Sequence, residues 1–127
     1  YQDPQSGTWY QVTDQGAREG NYLESSATAL FIYTLAKAVN KGYIGKDYIE
    51  PTRKAFDGMV KTFTRLEEDG SYTITNCCAV AGLGGDSKRY RDGSFEYYIS
   101  EPIIENDPQS VGSFILAAIE YEKMTDK

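Results

Sequence analysis

Gly20–Gly42 reads GNYLESSATALFIYTLAKAVNKG, and from Ala27 to Val39 it is apolar all the way round a helical wheel, with Lys37 its single charge. A helix of that kind has to be buried on every side. Asn21 is placed as its N-cap, with Glu24 three residues on to complete a capping box, so the helix is expected to start near Tyr22. Lys41 in the last turn and Gly42 at the C-cap position end it. Glu24, Ser25 and Ser26 crowd the first turn, where free backbone N–H groups and the positive end of the helix dipole gather.

A second helix follows from a cap at Asp47, with Glu50 three residues later and Pro51 within the first turn. Ile49, Phe56, Met59, Val60, Phe63 and Leu66 recur at helical spacing, while Arg53, Lys54, Asp57, Lys61 and Arg65 fall opposite. That helix has one wet face. Glu67–Gly70 makes a turn, and Ser71–Gly85 then alternates and collects Thr, Ile, Val and Tyr as a short β excursion would. Its terminal GLGG lacks the third glycine and the directly following helix of a dinucleotide fingerprint. Asp107 before Pro108 is an N-cap and N1 pair, so a third helix opens there, again apolar all round from Phe114 to Ile119. Upstream, Tyr1–Asn21 reads as a long loop with a short strand at Thr8–Val12. Its Trp9, Tyr10, Asp14 and Arg18 mix flat aromatics with charges, which suits sugar binding; the plainer account is a lid on the end of the long helix.

The 127 residues fit one domain, and 13 basic against 19 acidic residues give a net charge of -6, which argues against a nucleic-acid surface. The nearly uncharged run from Ser25 has only 12 residues before Lys37, short for a membrane span, so the chain reads as soluble, in cytoplasm or periplasm. No leader pattern stands at Tyr1, and the chain is expected to start within a longer polypeptide. The two cysteines, Cys77 and Cys78, are adjacent, with Cα atoms about 3.8 Å apart against the usual disulfide range of about 4.4 to 6.8 Å. They read as buried thiols. With no histidine and no spaced cysteine pair, no metal or other cofactor is expected. Three helices cannot enclose two buried ones. Either a further N-terminal portion or other copies of the chain must cover the remaining apolar surface.

The blocks GTWYQVTD (Gly7–Asp14), GNYLESSA (Gly20–Ala27), RDGSFEYYISEP with ENDP, and VGSFILA, the last three lying within Arg91–Ala117, resemble the C-terminal end of glycoside hydrolase family 105, the unsaturated rhamnogalacturonyl hydrolases. The resemblance runs along nearly the whole chain. It implies an all-α fold, a partial (α/α)6 barrel of alternating inner and outer helices with a short β excursion. Residues 1–127 would be roughly the last third of that single barrel domain. It also implies hydration of the C4–C5 double bond of an unsaturated uronide: an aspartic acid protonates the vinyl ether, water adds at C5, and the hemiketal opens to release the sugar. The family's catalytic aspartate, its partner aspartate and its histidine belong to the N-terminal two thirds, so no catalytic residue is expected here.

What the segment can offer is pocket wall. In a barrel with parallel inner helices, the N-terminal ends near Tyr22 and Pro108 lie at one mouth and favour anions such as a uronate carboxylate. Trp9 is the candidate for stacking on a sugar, Arg18 for pairing with a carboxylate, and Glu24, Ser25, Asn106 and Asp107 for holding hydroxyls. For each, the alternative is a cap or a packing role at the mouth. Two rival functions stand beside this one: a family 88-like hydrolase of unsaturated glucuronides, and a non-catalytic module that binds carbohydrate or a protein partner.

Overall fold

Helix α1 (Ser25–Asn40) begins three residues later than the capping-box reading places it. The cause lies upstream. Tyr10 and Leu23 form a β-bridge, and the Glu24 N–H donates to the Trp9 carbonyl at 2.9 Å, so the chain is held extended through Glu24. Asn21 is therefore not the N-cap; its side-chain amide bonds Val12 and Gln15 and closes the preceding loop. The cap is Glu24 itself. Its carboxylate accepts the N–H groups of Ser26 at 3.2 Å and Ala27 at 2.7 Å. At the other end Gly42, with φ +70°, donates to Val39, and Tyr43 donates to Ala38, the two bonds of a Schellman motif. The structure, a computed structural model, describes residues 1–86 and 90–125.

Helix α2 (Ile49–Phe63) is entered through a 3-10 turn, Lys46–Tyr48, and has no side-chain cap. Asp47 lies inside that turn and does not cap the helix. The helical periodicity extended to Leu66, but the helix stops at Phe63 because the next residues pair elsewhere. β1 (Thr64–Leu66) runs antiparallel to β2 (Tyr72–Ile74), with Leu66 opposite Tyr72. Cross-strand pairing outweighs the propensity of three further residues. On the outer side of α2, Gly58 lies so close to the N-terminal loop that a Cβ there would sit 1.9 Å from the Ser6 carbonyl oxygen. That glycine seats the loop on the helix.

β3 (Cys77–Cys78) pairs antiparallel with β4 (Ile103–Ile104), and between them lies a short helix, α3 (Phe95–Ser100), which the sequence pattern does not announce. Its cap is Ser94, whose Oγ accepts the Tyr97 N–H at 3.1 Å. Helix α4 (Pro108–Thr125) starts where Asp107 and Pro108 predict. The Asp107 carboxylate accepts the Gln109 N–H at 2.9 Å.

The core gathers Ala29 and Ile32 of α1, Ala55, Met59 and Phe63 of α2, and Ala117 of α4. Phe56 stacks on Tyr121 at 3.9 Å between ring centres. Helices α1 and α4 lie parallel: Ser25 meets Ser110 near their N-termini, and Asn40 reaches the Glu120 carbonyl farther along. α2 packs across one side of this pair, giving the inner and outer helices of a partial helical barrel. The opposite flank is open, which departs from burial on every side. Leu30 and Phe31 of α1 are exposed, as are Leu116 and Ile119 of α4, and Ile115 is 56% exposed. One outer helix and one inner neighbour cover only part of each helix's circumference.

Candidate functional site

The parallel arrangement brings the first turns of α1 and α4 together, and a buried polar cluster forms where they meet. Glu24, 1% exposed, is its centre. Besides capping α1, its Oε1 accepts the Ser26 hydroxyl at 2.9 Å and the Cys78 N–H at 3.0 Å, so the same carboxylate ties β3 to the helix. Ser25 and Ser110 share a hydrogen bond at 2.9 Å, and the Ser25 N–H donates to the Asn76 carbonyl. Asn76 holds a left-handed φ of 59°, which lets the chain pass beneath the helix end.

The Cys77 thiol is sealed in this cluster. Burial pushes its pKa up to about 11, with the negative charges of Glu24 and Asp107 acting in the same direction, while the hydroxyls of Ser26 and Ser110 act against it. Cys78 faces the other way, accepting from the Gln11 side-chain amide at 3.1 Å. Burial likewise holds the Tyr22 phenol, beside Cys78, well above its ordinary pKa. A cavity of about 300 Å3 opens against this face, bounded by Gln11, Glu24, Ser26, Cys78 and Gln109 and floored by alanines and Val80.

The other candidates are distributed differently. Trp9 sits on the far flank of α1, its ring edge-on to Phe31 at 5.0 Å, beside a separate apolar hollow of about 270 Å3 that Thr13 and Leu35 also line. Its backbone does the structural work of holding Glu24 and Thr28. Arg18 lies over the Phe95 ring at 3.8 Å, is ion-paired with Glu96, and donates to Gln15 at 2.9 Å. Asn106, with φ 50°, pairs with β2: its Oδ1 accepts the Ile74 N–H at 2.8 Å, and its own N–H returns to the Ile74 carbonyl. Glu24, Ser25 and Asp107 thus come together, while Trp9, Arg18 and Asn106 stand apart from them. The carboxylates of Glu24 and Asp107 accept backbone N–H groups at the two helix starts. Among the described residues no group of three or more His, Cys, Asp or Glu side chains is placed to hold a metal ion.

The sequence profile of Glycosyl Hydrolase Family 88 matches residues 1–125. The chain belongs to that family. Among solved structures it is similar to a glycoside hydrolase from Family 105 of C. acetobutylicum ATCC 824, with 46% identity and a TM-score of 0.91 over 95% of this chain and 33% of that one. A possible member of the GH105 family from Klebsiella pneumoniae subsp. pneumoniae MGH 78578 gives 28% identity and a TM-score of 0.73, covering 98% of this chain and 28% of that one. The resemblance carried by the GTWYQVTD and GNYLESSA blocks therefore holds at the level of fold and family. Protein Atu3128 of Agrobacterium fabrum and the 24.9 kDa protein in picA locus of Rhizobium radiobacter are each 38% identical over 120 residues. The chain spans about half the length of these two relatives, covering 52% of each.

Gln11, Ser110 and Gln109 are lining or cluster residues that sequence reasoning does not single out, and Cys78, read from the sequence as a buried thiol like Cys77, is only partly buried and lines the cavity. Ser110 meets Ser25 across 85 residues, a pairing no local pattern encodes. Gln109 carries a weak signal, since it follows a cap and so must lie on the first turn of α4.

Proposed function

We propose that the chain is the C-terminal portion of a single (α/α)6 barrel that hydrates the C4–C5 double bond of unsaturated galacturonyl groups on rhamnogalacturonan-derived oligosaccharides. The observation that carries this is the 46% identity and close superposition, over 95% of the chain, with a Family 105 glycoside hydrolase. In this reading an aspartic acid outside the chain protonates the vinyl ether, water adds at C5, and the hemiketal opens to release the terminal uronate. The present residues build wall at the barrel mouth. The juxtaposition of the α1 and α4 first turns through Ser25 and Ser110 supports that placement.

The open flank fits the same reading. Further helices of one polypeptide cover Leu30, Phe31, Ile115, Leu116 and Ile119, as expected of a chain that accounts for 33% of its C. acetobutylicum neighbour. The test is loss of the ultraviolet absorbance of the unsaturated uronide. A longer polypeptide that carries this chain is expected to consume an unsaturated galacturonyl-rhamnose disaccharide, and residues 1–127 alone are expected not to. Faster turnover of unsaturated glucuronyl disaccharides would move the assignment to the glucuronide-specific hydrolases. Turnover by residues 1–127 alone would overturn the division of catalytic labour.

A further inference from the structure

We propose that the cavity at the joined first turns of α1 and α4 takes an uncharged, hydroxyl-rich sugar ring and has no seat for the uronate carboxylate. The inference rests on the hydrolase reading above and says which part of such a substrate meets this wall. Helix N-termini normally attract anions through their free N–H groups. Here each already carries one of the protein's own carboxylates. Glu24 takes the N–H groups of Ser26 and Ala27 at the start of α1, and Asp107 takes that of Gln109 at the start of α4. A second carboxylate brought to the same place would meet the Glu24 charge at the cavity wall.

Among the described residues that line the cavity there is no Lys or Arg. Arg18, the candidate for that role, is paired with Glu96 and lies over Phe95. Apart from the Glu24 carboxylate, what the described lining offers is neutral: the amides of Gln11 and Gln109, the Ser26 hydroxyl, and apolar surface from Ala27, Ala79 and Val80. Amides and hydroxyls match ring hydroxyls, and the apolar surface matches a C–H face or a methyl group. The volume of about 300 Å3 lies at the lower end of the usual ligand-pocket range of roughly 300 to 1,000 Å3, the size of site a single ring would use.

Cys78 gives the test its probe, because its thiol lines the cavity while Cys77 is fully buried. The rate of Cys78 alkylation by iodoacetamide is followed by mass spectrometry with L-rhamnose, D-galactose or D-galacturonate at equal concentration and ionic strength. One thiol reacting per chain certifies the fold in each sample. Either neutral sugar is expected to slow alkylation about threefold when present at twice its dissociation constant, as mass action requires. Galacturonate is expected to leave the rate unchanged. In a Gln109→Arg variant, which adds a cation at an exposed position, galacturonate is expected to become protective. Protection by galacturonate in the unaltered protein equal to that by rhamnose, or protection by no sugar, overturns the assignment. Neither result bears on the hydrolase reading, which the absorbance assay answers separately.

Discussion

Helices α1 and α2 are 16 and 15 residues long and adjacent in sequence, yet they are built on opposite rules. α1 is apolar round its whole circumference and begins at a buried carboxylate that also holds a strand; α2 is apolar on one side and begins without a side-chain cap. Within this chain the more apolar helix is the one left partly uncovered, with Leu30 and Phe31 exposed. Apolar residues all round a helix therefore state how many neighbours it is made for. They do not state how many of those neighbours the same stretch of chain supplies.

The contrast breaks most readily at the start of α1. Glu24→Ala removes the acceptor for three backbone N–H groups and one hydroxyl in a buried place, and each buried donor left unpaired costs roughly 1 to 3 kcal/mol. We expect a loss of about 3 to 4 kcal/mol in denaturant unfolding, with Glu24→Gln costing about half as much because one acceptor oxygen remains. A loss below about 1 kcal/mol would mean that α1 tolerates a bare start as α2 does.

Next in size is Gly58→Ala on α2. In a helix interior this change ordinarily gains about 1 kcal/mol, but here the new Cβ would lie 1.9 Å from the Ser6 carbonyl oxygen. The expected sign is reversed, a loss of about 1 to 3 kcal/mol as the N-terminal loop is pushed off. A gain would show that the loop moves away freely.

The smallest effect on stability is expected on the open flank. Ile115→Ser combined with Leu116→Ser should shift the unfolding free energy of residues 1–127 by no more than about 0.5 kcal/mol each, since both side chains are exposed. The same double variant should lower self-association in light scattering and reduce binding of an apolar dye. A large loss of stability would mean that the flank is packed within the chain and that the contrast with α2 is false.

Much of this architecture was written locally. The end of α1 follows from Gly42, which supplies the positive φ of the Schellman motif, and the start of α4 follows from Asp107 before Pro108. The capping-box pattern puts the start of α1 too early because the extended conformation of Glu24 is imposed by Trp9 and by the Tyr10–Leu23 bridge, partners outside the window of any capping motif. The helical periodicity overruns the end of α2 for a similar reason: β1 is strand only because β2 lies beside it. In α3, Phe95, Tyr97 and Tyr98 favour strand by propensity, and only the Ser94 cap marks a helix. Of the site, Glu24, Ser25 and Asp107 were legible as crowding at two helix starts. Cys78 and Gln11 were not, because a thiol meeting an amide across 67 residues leaves no periodic trace.

The side-by-side thiols also make the molecule its own stopwatch. Cys78 faces the cavity, while Cys77, its immediate neighbour in sequence, is shut behind the Ser26 and Ser110 hydroxyls. A reagent that takes up one equivalent at once and a second only slowly would be timing the moments at which the seam between the two parallel helices parts. The ratio of the two rates would report the fraction of time that seam stands open when reclosing outpaces alkylation.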